Sequence, residues 1–127
     1  MDENAIAKLV VGAAYKIHKK LGPGLLESVY LAVLAYELRT LGLEVVTEIG
    51  LPVIYEDVAL EIGFRADMVI NNLVIAELKS VEQLALVHRK QLLTYLRLSG
   101  KRLGLLINFG APLIKDNIIR IVNGLPA

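Results

Sequence analysis

The run Leu103-Gly104-Leu105-Leu106-Ile107-Asn108-Phe109 constrains this chain more than any other stretch. It shows almost no alternation of apolar and polar positions, so a strand formed here has no face to give to water. Such a strand needs cover on both sides, and a helical layer on each face of a sheet is the simplest cover. At 127 residues the chain holds one core of this kind and not two, so a single domain over 1–127 is expected.

The remaining elements fit that requirement. Ile6, Leu9, Val10, Ala13, Ile17 and Leu21 recur at helical spacing behind the cap candidates Asp2 and Asn4. Gly22-Pro23-Gly24 stops the pattern, which predicts a first helix over about 4–21. Leu25–Leu41 is rich in Leu, Ala, Glu and Tyr and ends at Gly42, which predicts a second helix closed by a left-handed glycine. From Glu44 the residues become β-branched; Pro52 kinks this strand and Glu56-Asp57 turns it. Ala59–Ile70 and Leu73–Val81 follow as strands joined across Asn71-Asn72, a pair that tolerates positive φ, so the middle reads as an antiparallel meander. Helical spacing returns over Leu84–Ser99 and ends at Gly100, after which come the Leu103–Phe109 strand and a short one over Ile118–Val122. The order α-α-β-β-β-α-β-β gives an α+β (α/β) fold, a mixed sheet flanked by helices on both sides.

Composition removes several classes of function. A hydrophobic share of 55% excludes disorder, and it lies above the roughly 45–50% of ordinary domains, more so once glycine is counted and tyrosine is not. The longest uncharged apolar stretch, Leu103–Ile114, contains Asn108, Gly110 and Pro112 and falls short of the ~20 residues that span a bilayer. Asp2 and Glu3 stand where a secretory leader carries positive charge, so a cytoplasmic location is expected. With no cysteine there are no disulfides, thiolate nucleophiles or cysteine-held metals, and any metal must be held by oxygen or nitrogen. Fourteen basic against 13 acidic side chains leave +1, which neither favours nor excludes a nucleic-acid partner. An apolar surplus on so short a chain predicts a buried subunit interface, most simply a two-fold homodimer.

Two opposite charges, Glu77 and Lys79, interrupt the apolar strand Leu73-Val74-Ile75-Ala76-Glu77-Leu78-Lys79 at i and i+2 and so share one face. Taken alone, this stretch is better explained by a solvated strand face on which Glu77 and Lys79 point to water. Ten residues upstream Asp67 lies on the neighbouring strand of the same hairpin. Two carboxylates on adjacent strands form an oxygen-ligand site suited to Mg²⁺ or Mn²⁺, and a lysine beside it can orient the attacking water or neutralise charge on a phosphate. Register tests the idea. A two-residue loop at Asn71-Asn72 sends Asp67 to the face opposite Glu77, whereas a three-residue loop or a bulge sets Asp67 across from Glu77 and Arg65 across from Lys79. An odd-length loop or a bulge near Asn71–Leu73 is therefore predicted. Glu27 falls in the first turn of the second helix, where a carboxylate also simply suits the positive helix end. Gln91 shares a helix face with His88 and Tyr95, a stripe that an exposed face explains too. His18 has no partner at metal-ligand spacing and reads as packing; His88 is within reach of a phosphate without being catalytic.

Taken together these residues resemble a known family. Gly24-Leu25-Leu26-Glu27-Ser28-Val29-Tyr30 fits the GxxExxY signature, and Glu27, Asp67, Glu77-Leu78-Lys79 and Gln91 resemble the PD-(D/E)XK nuclease superfamily to which GxxExxY proteins are assigned. The similarity extends over nearly the whole chain, including the Leu-Leu-Ile-Asn-Phe-Gly strand. The resemblance implies a restriction-endonuclease-like core in which Asp67 and Glu77 are direct ligands of a divalent metal, with the Leu78 carbonyl as a third. It implies that Glu27 binds the metal directly or through water, that Lys79 positions the nucleophilic water, and that Gln91 steadies the site or the phosphate. Ala66 stands where the superfamily has its proline, a departure that bears on backbone shape more than on metal chemistry.

Two functions follow. One is a Mg²⁺- or Mn²⁺-dependent hydrolase of phosphodiester bonds in DNA or RNA. The other is a catalytically weak or inactive module of the same fold that binds nucleic acid or a protein partner, motivated by the near-neutral charge and the lack of an obvious basic loop.

Overall fold

The computed structural model describes residues 1–126, with Ile62 by its backbone alone. The elements come in the expected order: α1 (Glu3–Leu21), α2 (Glu27–Thr40), β1 (Val45–Tyr55), β2 (Val58–Ile70), β3 (Val74–Lys79), α3 (Leu86–Ser99), β4 (Leu103–Asn108) and β5 (Ile118–Val122). Asp2 caps α1, its Oδ1 accepting from the Ala5 N–H at 2.8 Å. Helix α2 begins at Glu27 and not at Leu25, because Gly24 holds φ +105° and Leu26 is still extended. Helix α3 likewise starts after the extended Ala85, two residues later than its apolar spacing indicates.

The five strands lie in the order β1-β2-β3-β4-β5. All neighbours are antiparallel except β3 and β4, whose parallel pairing needs a crossover, and α3 supplies it. β1 runs through Pro52 without ending, since an edge strand can spare a donor; the register shifts instead between Leu51 and Val53. β4 is buried along its whole length, as its apolar run requires. On one side of the sheet Ile6, Val10 and Ile17 of α1 and Leu34 and Leu38 of α2 pack against Met68, Val74 and Ile107. On the other, Leu92 and Leu96 of α3 pack against Ala66, Ile75 and Leu106. Among the described residues no helix is long and apolar enough to cross a membrane.

The β1–β2 ribbon serves both layers. Val45 pairs with Ile70 and Thr47 with Met68, and at this end the ribbon belongs to the core under α1 and α2. Ile49 pairs with Ala66 and Leu51 with Phe64 on the same side of the ribbon, yet these residues pack into the core under α3. The ribbon therefore rolls over between the two sets. Glu48 and Asp67 stand at the crossing, and Glu48 has φ +50°, a value far from the β region for a residue in mid-strand.

Candidate active site

The β2–β3 connection has three residues, Asn71-Asn72-Leu73, with Ile70 paired to Val74. Asn71 and Asn72 adopt φ of 50° and 55°, which asparagine accepts more readily than most residues, and the Asn71 Oδ1 accepts from the Glu44 N–H at 2.8 Å. This odd count sets Asp67 opposite Glu77, as parity demands. The backbone ladder between the strands runs through Val69–Ile75 and Met68–Ala76 and stops there. Beyond it carboxylates take over. The Asp67 N–H donates to Glu77 Oε1 at 3.2 Å, and the Leu78 N–H donates to Asp67 Oδ2 at 2.8 Å.

Asp67 also faces a cavity of about 190 Å³ lined by Glu27, Ser28, Leu31, Glu48 and Leu78. Glu27 reaches it as the first residue of α2. Glu77 is not among the lining residues: Ile75 packs toward α3 while Val74, Ala76 and Leu78 pack toward α1 and α2, so alternation puts Glu77 and Lys79 on the α3 side. Asp67 is thus the residue that touches both halves, the cavity with Glu27 and the buried carboxyl of Glu77.

Glu77 is only 8% exposed. Burial pushes its carboxyl up to about 9, the hydrogen bond and negative charge of Asp67 push the same way, and the Lys79 ammonium pulls it back. The Tyr95 hydroxyl is raised by burial and then by the charges of Glu77 and Asp67, whereas a hydrogen bond from Gln91 opposes the rise. Gln91 is exposed on α3 beside Tyr95, whose ring stacks on Phe64 with centroids 4.2 Å apart.

Four further residues shape the site without being among its expected ligands and catalytic groups: Glu48, Tyr30, Ser80 and Asn108. Glu48 enters the cavity from β1 through the ribbon's crossing. Tyr30, the last residue of the GxxExxY stretch, is fully buried; its hydroxyl donates to the Gly22 carbonyl and accepts from the Leu25 N–H at 3.2 Å, tying down the loop that leads to Glu27. The Ser80 hydroxyl holds the same loop by donating to the Leu25 carbonyl at 2.7 Å. Asn108, fully buried opposite Lys79, accepts from the Val81 and Gly110 N–H groups at 3.1 and 3.0 Å and so fixes the chain just past Lys79. Gly110 is required there, because a Cβ would stand 2.4 Å from the Val81 nitrogen. The histidines are structural. His18 Nε2 bonds the Ala111 carbonyl at 2.8 Å, and His88 Nδ1 accepts from the Ala85 N–H at 3.1 Å at the start of α3.

A family model described as the PD-(D/E)XK nuclease superfamily matches residues 4–121. The chain belongs to that superfamily. No curated protein and no solved structure matches it. In this PD-(D/E)XK protein Ala66, the residue before Asp67, is fully buried and paired with Ile49 in a continuing strand. PD-(D/E)XK nucleases generally use divalent metals, and the donors present suit one. They are hard oxygens, which Mg²⁺ and Mn²⁺ prefer. A carboxyl buried against a second carboxylate also gains from a cation that would neutralise the pair. Among the described residues no three Asp, Glu or His side chains form a ready-made cage. Mg²⁺ does not require one, since it typically takes one or two carboxylates and keeps several waters.

Proposed function

We propose that this protein is a divalent-metal-dependent nuclease that hydrolyses phosphodiester bonds in DNA or RNA, and that within its superfamily Gly24–Tyr30 groups it with the GxxExxY proteins. The observation that carries this reading is the opening of the β2–β3 ladder at Asp67 and Glu77, where two carboxylates replace backbone pairing beside a cavity that Glu27 also lines. Asp67, Glu77 and the Leu78 carbonyl would hold Mg²⁺ or Mn²⁺, with Glu27 binding directly or through water. Such a cation supplies Lewis-acid polarisation of the phosphodiester. Lys79 donates from its Nζ to the attacking water and orients it, and its charge opposes the negative charge that builds on the phosphate. Gln91 steadies this arrangement through Tyr95. Tyr30 and Asn108 act at one remove, by fixing the loop before Glu27 and the turn after Lys79.

The test is metal-dependent nicking of plasmid DNA and of structured RNA by the purified protein. Cleavage that appears with Mg²⁺ or Mn²⁺ and vanishes in both Glu77→Ala and Lys79→Ala supports the reading; cleavage that survives in both rejects it.

One observation favours a second reading, a module of the same fold that binds nucleic acid or a protein without turnover. Both central carboxylates are engaged with backbone N–H groups and so already serve the fold. Calorimetry separates the two: Mn²⁺ binding that Asp67→Asn abolishes belongs to the nuclease, and metal-independent binding of a partner belongs to the module.

A further inference from the structure

The near-neutral total charge conceals a strong segregation. Between Leu41 and Phe64 stand five acidic side chains, Glu44, Glu48, Glu56, Asp57 and Glu61, and no lysine or arginine, a net charge of −5. The rest of the chain holds eight acidic against 14 basic side chains, a net charge of +6. The acidic segment is β1 and the outer part of β2. Its tip also presents Ile54, Tyr55, Val58 and Leu60, each half or more exposed. Four large apolar side chains on a two-stranded ribbon that ends in water are a surface without its cover.

A surface of matching character lies at the other edge of the molecule. A groove of about 510 Å³ runs between the C-terminal half of α1 and the β4–β5 loop, with Tyr15, Pro23, Pro112 and Leu113 among its walls and Lys19 and Lys115 beside them. Tyr15 and Leu113 are themselves exposed. Lys16 is engaged with Glu37 at 3.1 Å, whereas Lys19 and Lys115 make no ion pair among the described residues. Because β1 and β2 stand at one edge of the sheet and β4 and β5 at the other, a chain cannot lay its own tip in its own groove.

We propose that the β1–β2 tip of one copy docks into the α1 groove of a second copy. Ile54, Tyr55 and Val58 cover Tyr15, Pro112 and Leu113, while Glu56 and Asp57 meet Lys19 and Lys115. Charge complementarity selects this occupant: the same chain carries both an acidic apolar tip and a basic apolar groove, and neither has a mate among the described residues. Two copies related by a two-fold axis make the contact twice, which closes the assembly as a dimer. Rim charges of this kind steer and register the partners and are screened by salt. None of these residues belongs to the carboxylate site, so this inference and the hydrolytic reading stand or fall separately.

Sedimentation velocity on the full chain tests it, with Lys19→Glu/Lys115→Glu and Glu56→Lys/Asp57→Lys double variants whose folding is checked by circular dichroism. The wild type is expected to sediment as a dimer, at least about tenfold weaker at ~0.5 M than at ~0.05 M salt. Each double variant is expected to be monomeric at concentrations where the wild type is paired, because its tip and groove then carry the same sign. An equimolar mixture of the two variants restores opposite signs at both contacts and is expected to recover the dimer. A wild type that stays monomeric, a dimer indifferent to both reversals, or a mixture that does not reassociate overturns the proposal. A monomeric wild type whose tip instead captures oligolysine overturns it in favour of an unrelated basic partner.

Discussion

The two halves of β3 differ in how their backbone is satisfied. Val74, Ile75 and Ala76 are fully buried and pair on both sides, with Ile70, Val69 and Met68 on β2 and with Leu103, Gly104 and Leu105 on β4. Glu77, Leu78 and Lys79 keep their β4 partners Leu106, Ile107 and Asn108 but have none on β2. One side of the strand thus remains a rigid rail, held at its end by Asn108, while the other is opened and filled by carboxylate oxygens. The contrast teaches that polar chemistry enters this apolar sheet where a single ladder is interrupted, without loss of the strand's position.

Under the proposed nuclease function, the sharpest division expected between the two halves is in cleavage. Glu77→Gln and Asp67→Asn are each expected to lower cleavage by about 10³-fold, on the scale of losing a preorganised charge in a site, while far-UV circular dichroism stays unchanged. Comparable loss from a buried substitution in the first half, measured per folded molecule, would erase the distinction. In that first half the effect falls on stability. Ile75→Ala is expected to cost about 2–5 kcal/mol in urea unfolding, with activity per folded molecule retained.

Next in size is a pH dependence. The folded state holds the Glu77 proton up to about 9, and the unfolded chain releases it near the ordinary 4.5. The folded state therefore binds more protons across that window, so stability of the metal-free protein falls as pH rises from 4.5 toward about 9 and levels above it. Melting curves are expected to drop by ~5 °C or more over this range and to flatten in Glu77→Gln. Added Mg²⁺ is expected to raise the melting temperature most at the alkaline end, where the carboxyl gives up its proton most readily. Smallest is Gln91→Ala, which acts through Tyr95 from an exposed helix face; a severalfold drop in kcat with an unchanged melting temperature is expected.

Much of this architecture is legible in the residues. The all-buried β4 follows from its uninterrupted apolar run, and the facing of Asp67 and Glu77 follows from strand parity across a loop whose two asparagines accept positive φ. Glu48 is not legible. It sits among the exposed alternate positions Val46, Gly50 and Pro52, and only the rolling of the ribbon carries it to the cavity that Glu27 lines. A positive φ at a glutamate has no sequence signature, unlike one at glycine or asparagine. Tyr30 is visible as the last residue of the GxxExxY stretch but its role is not: its ring stacks on Phe109 at 4.5 Å, and its hydroxyl contacts appear only when the Gly22–Leu25 loop folds over it. Asn108 is visible as the polar residue of an apolar run, but the groups it holds, the Val81 and Gly110 N–H, arrive from outside the strand.

The rolled ribbon makes the hairpin a lever with its fulcrum at Glu48 and Asp67. Its inner arm is clamped under the first two helices and its outer arm lies against the third, so torque on the free end is delivered to the backbone that carries the Asp67 carboxylate. Whatever grips that distant turn therefore has a mechanical handle on the facing carboxylates of Asp67 and Glu77.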